Sequence, residues 1–204
     1  MSRLVGDELV ARGLTVLLTR EPGGTALGDR IRSIVLDHDP ADPWLAPRAD
    51  ALLFAAGRAQ HVAEVIEPGL ARGDLVVCTR YADSSMAYQG YGLGLPLDEL
   101  SALQDFATGG RWPDLTVLLD IPVEVGLERK QADEQTRFEA AFDLAYHQRV
   151  RVGYQAMAAA QPGRWVVVDA TASVATVVER TLEAIERLMG APTEPSEPSL
   201  RIHS

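Results

Sequence analysis

The sequence predicts an α/β protein, a parallel sheet flanked by helices. Three observations carry that expectation. The runs LTVLLT (Leu14–Thr19), LVVC (Leu75–Cys78), LTVLLD (Leu115–Asp120) and WVVVD (Trp165–Asp169) are short, apolar and β-branched, without the polar alternation of a half-solvated strand. Stretches of helical spacing separate them. The second run breaks at Thr79 into RYADSSMAYQGYG, a cluster of hydroxyls, tyrosines and one guanidinium. Open parallel sheets place ligands outside such carboxyl ends of strands.

In chain order, Ser2–Arg12 reads as a helix with Leu4, Val5, Leu9 and Val10 on one side and Gly13 just past its end. The strand Leu14–Thr19 follows, then the turn Arg20-Glu21-Pro22-Gly23-Gly24. Thr25 is placed to cap a helix whose apolar stripe is Leu27, Ile31, Ile34 and Val35. His38–Pro47 is a proline-broken connection. A long helical region from about Arg48 to Ala71 repeats Ala49, Leu52, Leu53, Ala56, Ala63 and Ile66 at helical spacing. Gly73-Asp74 turns the chain into the second strand. Gly90–Pro96 reads as a flexible loop, and Leu97–Ala107 as a helix with Leu100, Leu103 and Ala107 inward. The third strand follows, with Pro122 in the first turn of the next helix, where a missing amide hydrogen costs nothing. Phe138–Ala160 continues as a helix around Gly153. After the last strand, Ser173 caps a helix that turns Val174, Val177, Val178, Ile185 and Leu188 inward and stops at Gly190.

Residues 1–189 are expected to form a single domain. Ala191–Ser204, rich in proline and poor in apolar residues, reads as a disordered tail, so that the tail spans 190–204. Hydrophobic content of 47% and charged content of 24% are those of a globular chain. A net charge of −10 argues against a nucleic-acid partner but leaves room for a nucleotide held by a few local arginines. No apolar run is long enough for a bilayer, so no membrane partner is expected, and no signal peptide is evident; a cytoplasmic protein is expected. Cys78, the single cysteine, excludes an internal disulfide and reads as a buried structural thiol.

The candidate site is the end of the second strand. Arg80 offers a planar, permanently charged fork suited to phosphate. Ser84, Ser85, Tyr88 and Gln89 offer donors and acceptors for a flat polar ring. Phe54 and Arg58, four residues apart, share a helix face. On their own they read either as a core phenylalanine with a solvated arginine or as a pair that stacks on and reads a nucleobase.

TRYADSSMAYQGYGLG resembles the signature of the thymidylate kinases, as do, in order and approximate spacing, TREPGGT (Thr19–Thr25), LLFAAGRAQH (Leu52–His61), GGRWPDLTVLLDIPVEVGLER (Gly109–Arg129) and RFE (Arg137–Glu139). The resemblance covers the chain to about Met189. It implies a P-loop NTPase-type nucleoside monophosphate kinase fold with strand order 2-3-1-4-5, ATP and Mg²⁺, a homodimer, and transfer of a phosphoryl group from ATP to dTMP. It also implies roles. Arg80 would hold the acceptor phosphate, Phe54 would stack on thymine, and Arg58 and Ser85 would bond its edge. Tyr88 would crowd the 2′ position, with Ser84 and Gln89 beside it and Glu21 and Pro22 approaching the acceptor. Arg129, Lys130 and Arg137 would be the cations of a lid over about 129–138, with Arg129 and Arg137 taken as catalytic beside Arg80.

The sequence departs from the family at two places. Thr79 stands where the family has an aspartate, and neither the family's first, central strand nor its loop ending in Gly-Lys-Ser/Thr is present. The expectation is a miscalled or altered N-terminus, with turnover impaired in the chain as it stands. Two other readings stay open. One is an inactive nucleotide-binding relic or subunit, and the other is a kinase for a different deoxynucleoside monophosphate.

Overall fold

A computed structural model describes residues 1–37, 45–130, 136, 138 and 142–190. The connection expected over His38–Pro47 lies mostly outside these residues, and Arg137 and the tail after Gly190 lie wholly outside them. The elements are α1 (Ser2–Ala11), β1 (Val16–Arg20), α2 (Ala26–Leu36), α3 (Pro47–His61), a π-helical turn (Val62–Ile66), α4 (Glu67–Ala71), β2 (Leu75–Thr79) and α5 (Ala82–Ser85). A π-helix (Met86–Gly92), α6 (Leu97–Thr108), β3 (Thr116–Asp120), α7 (Val123–Glu128), α8 (Leu144–Ala160), β4 (Trp165–Asp169) and α9 (Val174–Gly190) complete the chain.

All four predicted strands form, and all pairing is parallel. β1 lies on β2 with Val16 opposite Leu75 and Arg20 opposite Thr79. β3 lies on β4 with Thr116 opposite Trp165 and Asp120 opposite Asp169. Among the described residues no strand pairs β2 with β3, so the sheet is present as two parallel pairs. A surface two strands wide cannot be fully covered on both faces. The strands expected to be buried are therefore half-buried along β3 and most of β2, and Leu18 and Val167 are exposed.

Side chains join the two pairs. Val5 and Leu9 of α1 form a core cluster with Leu182 and Ile185 of α9, and Val16, Leu75, Val77 and Leu115 pack against it. At the other end, the Arg164 guanidinium donates to both carboxylate oxygens of Asp83, at 2.7 and 2.8 Å, and Thr116 Oγ1 donates to the same carboxylate at 3.0 Å. Arg164 lies against the rings of Trp112 and Trp165.

Helix caps follow the expected chemistry. Thr25 Oγ1 accepts from Gly28 N, and Ser173 Oγ accepts from Thr176 N. The predicted apolar stripes are only partly the buried ones. On α2, Ile31 and Val35 are buried while Leu27 and Ile34 are exposed, and on α9 Val174 and Leu188 are exposed.

The long helix departs furthest. Leu52, Ala49, Ala56 and Ala63 face outward, and α3 buries Asp50, Arg58 and His61 together with Ala51, Ala55 and Gly57. Its polar groups find partners inside the molecule, which removes the desolvation cost that the apolar stripe assumed.

Two boundaries also differ. The glycine-rich segment taken as a loop from Gly90 is π-helical to Gly92, closely packed on α8, where a Cβ on Gly153 would meet Cγ of Tyr91 at 2.5 Å. The helix expected from Phe138 is described from Leu144, because Asp143 caps it by accepting from Tyr146 N at 2.8 Å.

Candidate active site

The site forms where β1 and β2 end and α2, α3 and the π-helix converge. The turn after β1 carries a cis Glu21–Pro22 peptide and places Gly24 where a Cβ would meet the His61 ring at 2.9 Å. Glu21 is thereby pressed against α3. One carboxylate oxygen accepts from Arg58 Nε at 2.8 Å and the other lies 3.0 Å from His61 Nδ1. His61 Nε2 meets Thr19 Oγ1 at 2.7 Å, so the ring bridges the turn and the end of β1.

Arg58 is 2% exposed and is gripped on three sides. Besides Glu21, its Nη1 donates to Ser85 Oγ at 3.1 Å and to Gln104 Oε1 of α6. Its guanidinium also faces the Tyr81 ring. Burial, then the nearby Glu21 carboxylate, push the Tyr81 hydroxyl well above its ordinary pKa, so it stays protonated and donates to the Arg111 carbonyl. Burial likewise pushes the Cys78 thiol far up, in keeping with a structural role.

Immediately after β2, Arg80 adopts φ 64, a left-handed backbone that side chains other than glycine rarely take. Its guanidinium lies over the Tyr88 ring, 4.8 Å from the centroid, and donates to the Tyr88 hydroxyl at 3.0 Å. Tyr88 in turn meets Phe138 edge-on, and Phe138 meets Phe54. Ser84 Oγ accepts from Tyr154 OH at 2.8 Å, and Gln89 Nε2 donates to Asp50 Oδ2 at 2.8 Å.

These groups enclose a cavity of about 260 Å³, near the small end of ligand clefts. Every residue expected to bind substrate lines it: Glu21, Pro22, Phe54, Arg58, Arg80, Ser84, Ser85, Tyr88 and Gln89. Arg129 does not; its Nη1 donates to the Ala170 carbonyl at 2.9 Å. Lys130 reaches the rim with Thr136, while Arg137 lies outside the described residues.

Sequence reasoning missed Arg32, which lines the cavity and donates to the Pro22 carbonyl at 2.9 Å. Burial and then the charge of Arg20 lower the Arg32 pKa, and Arg80 acts the same way. Asp29 and Asp37 oppose these effects, so three arginines and two carboxylates act on one another here in a protein of net charge −10. Gln104 and His61 were missed too. The signal available for His61 was its spacing of three from Arg58, which puts both on one helix face.

Residues 1–181 match the family model described as Thymidylate kinase. The chain belongs to the thymidylate kinase family. A thymidylate kinase of Roseiflexus sp. (strain RS-1) is 48% identical over 207 aligned positions, covering 95% of this chain and 87% of the relative. One from Desulfovibrio desulfuricans is 49% identical, covering 89% of this chain and 86% of the relative. The crystal structure of thymidylate kinase from Ehrlichia chaffeensis superposes with a TM-score of 0.71 at 27% identity, covering 90% of this chain and 89% of that one. The fold is thus that of a P-loop NTPase-type kinase, and membership makes the protein a kinase by family. No described helix is long and apolar enough to cross a membrane.

Proposed function

We propose that the cavity binds dTMP and that the protein moves the γ-phosphoryl of ATP to its 5′-phosphate, giving dTDP and ADP. One observation carries this reading: all the residues expected to contact dTMP, drawn from the turn after β1, α3, the residue after β2, α5 and the π-helix, meet around one small cavity. Phe54 supplies a ring face for the base. Arg58 has spent Nε and Nη1 on Glu21, Ser85 and Gln104, so what it adds at the base edge is the donor capacity of Nη2, which suits a carbonyl. Ser85 acts through Arg58. Tyr88 stands at the sugar and restricts a 2′-hydroxyl, and Arg80 with Arg32 receives the phosphate.

In the transfer, a 5′-phosphate oxygen attacks the γ-phosphorus as its bond to the β–γ bridging oxygen breaks. Attacker and leaving group are both anionic, so positioning and cations do most of the work. Arg32, Arg58, Arg80 and Lys130 are the cations that line this cavity, and Arg58 is committed to Glu21.

The donor side is less complete. Lys130 is the only lysine in residues 1–204, and no Gly-rich loop ending in Gly-Lys-Ser/Thr occurs there. We read the interval between β2 and β3 as the place of the family's central strand and phosphate loop. The edges of β2 and β3 that no strand shares among the described residues support that reading. Among the described residues no His, Cys, Asp and Glu side chains converge as a metal site, and Thr79 replaces a carboxylate at the end of β2. These residues do not fit a protein-held Mg²⁺. Exposed Leu27, Ile34, Leu52 and Phe106 on the neighbouring helices α2, α3 and α6 support a homodimer. A cytoplasmic location remains part of the proposal.

The test is thermal stabilisation by nucleotide followed by a turnover assay. Ligand that binds the folded state raises the melting temperature. dTMP should do so and AMP should not; equal shifts, or none, would count against the pocket. dTDP formation should be negligible for residues 1–204 and should appear when a strand and phosphate loop are supplied ahead of Met1. Robust turnover by residues 1–204 alone would overturn the reading of the donor side.

A further inference from the structure

Asp50 is a buried carboxylate that the proposed reaction does not use. It is 1% exposed, in the first turn of α3, and its Oδ2 accepts from Gln89 Nε2 at 2.8 Å. Gln89 is itself 1% exposed and lines the cavity beside Phe54 and Arg58. A side-chain amide can be turned by half a rotation at little cost, which exchanges its donor and acceptor ends. An ionised carboxylate accepts only. With Nε2 donating to Asp50 Oδ2, Gln89 points its NH₂ at α3 and holds its carbonyl oxygen the other way. Among the described residues none donates to that oxygen.

The two groups on this edge of the cavity then have opposite polarity: a donor from Arg58 and an acceptor from Gln89. A pyrimidine with a carbonyl beside a ring N–H, as in thymine or uracil, matches both. Cytosine carries an amino group and a bare ring nitrogen at the same positions and mismatches both. We infer that Asp50 is a positioning residue for base choice: it fixes the sense of the Gln89 amide, and through it selects thymine over cytosine. The inference rests on the dTMP reading of the cavity.

Competitive binding of dTMP and dCMP to the full chain tests it, using wild type, Asp50→Asn and Asp50→Glu, each checked for a cooperative melt. Asparagine can present either a donor or an acceptor to Gln89, so Asp50→Asn should lower the dTMP/dCMP preference by roughly tenfold, the worth of one well-placed hydrogen-bond pair. Asp50→Glu keeps the carboxylate and should retain most of the preference. Unchanged selectivity in Asp50→Asn overturns the inference, and so does an equal loss in Asp50→Glu, which would mark a packing role.

If Asp50→Asn does not fold, wild type is compared with dTMP and N3-methyl-dTMP, which lacks the ring N–H. Loss of binding by the methylated ligand supports an acceptor at Gln89, and equal binding overturns it. Failure of wild type to bind dTMP at all would instead sink the parent reading of the cavity.

Discussion

The Arg80 guanidinium meets Tyr88 through both the ring face and the hydroxyl, 3.0 Å from Nη2. The tyrosine thus orients the group proposed to receive the phosphate. Tyr88→Phe keeps the ring and removes the hydroxyl. dTMP affinity should fall by about 3- to 10-fold, the net worth of one hydrogen bond, while stability changes by less than about 1 kcal/mol. Calorimetric titration with dTMP checks the first, and denaturant unfolding the second.

Glu21 joins two elements that share no strand pairing, the turn after β1 and helix α3. Its side chain is 4% exposed and that of Arg58 is 1% exposed. Glu21→Ala leaves a buried guanidinium without its carboxylate, a loss of about 3–5 kcal/mol. For a domain of this size that lowers the melting temperature by roughly 10 °C or more. A smaller loss in urea unfolding would mean that Ser85 and Gln104 suffice to hold Arg58.

Acid sensitivity should trace in part to Asp120 at the end of β3. Paired hydrogen bonds from Arg151, at 2.7 and 2.8 Å, hold its carboxyl below the usual carboxylate range; burial opposes them and Gln155 adds to them. A depressed carboxylate contributes stability that is fully present above its unfolded value, about 3.9, and is lost as pH falls through the folded value. Urea midpoints for wild type should therefore drop steeply below about pH 4. Asp120→Asn should be less stable near neutrality and show a shallower acid slope. Parallel slopes would mean the pair does not titrate with unfolding.

Gly153→Ala places a methyl 2.5 Å from Tyr91 Cγ, the root of the ring rather than its mobile end. The π-helix must then shift away from α8, at about 1–3 kcal/mol. Because Tyr88 and Gln89 lie on that π-helix, dTMP affinity should fall along with the melting temperature. Loss of stability with unchanged affinity would show that the π-helix moves as a rigid unit.

The strands were legible because a β-branched run without polar alternation has few other fates. The hydrophobic stripes were less so. On α3 the side chains that go inside are Asp50, Arg58 and His61, and no rule of apolar spacing finds them. Each is buried because a partner from a distant segment meets it: Gln89, Glu21 and Thr19. Arg32 was invisible for a related reason. It follows Ile31 on an ordinary amphipathic helix, and only the fold brings it beside Arg20 and Arg80. Motif spacing found the cavity's first layer of residues, whereas the layer that holds them in place depends on tertiary contacts.

The left-handed backbone of Arg80 carries an evolutionary consequence. At φ 64 a side chain costs about 1–2 kcal/mol that glycine does not incur. Protein breeding for heat resistance, with no demand for catalysis, would thus drift towards glycine at position 80 and discard the proposed phosphate receiver in a single step. Persistence of arginine there in a lineage would be a record of selection for work performed, set against a standing pull towards a sturdier and idle molecule.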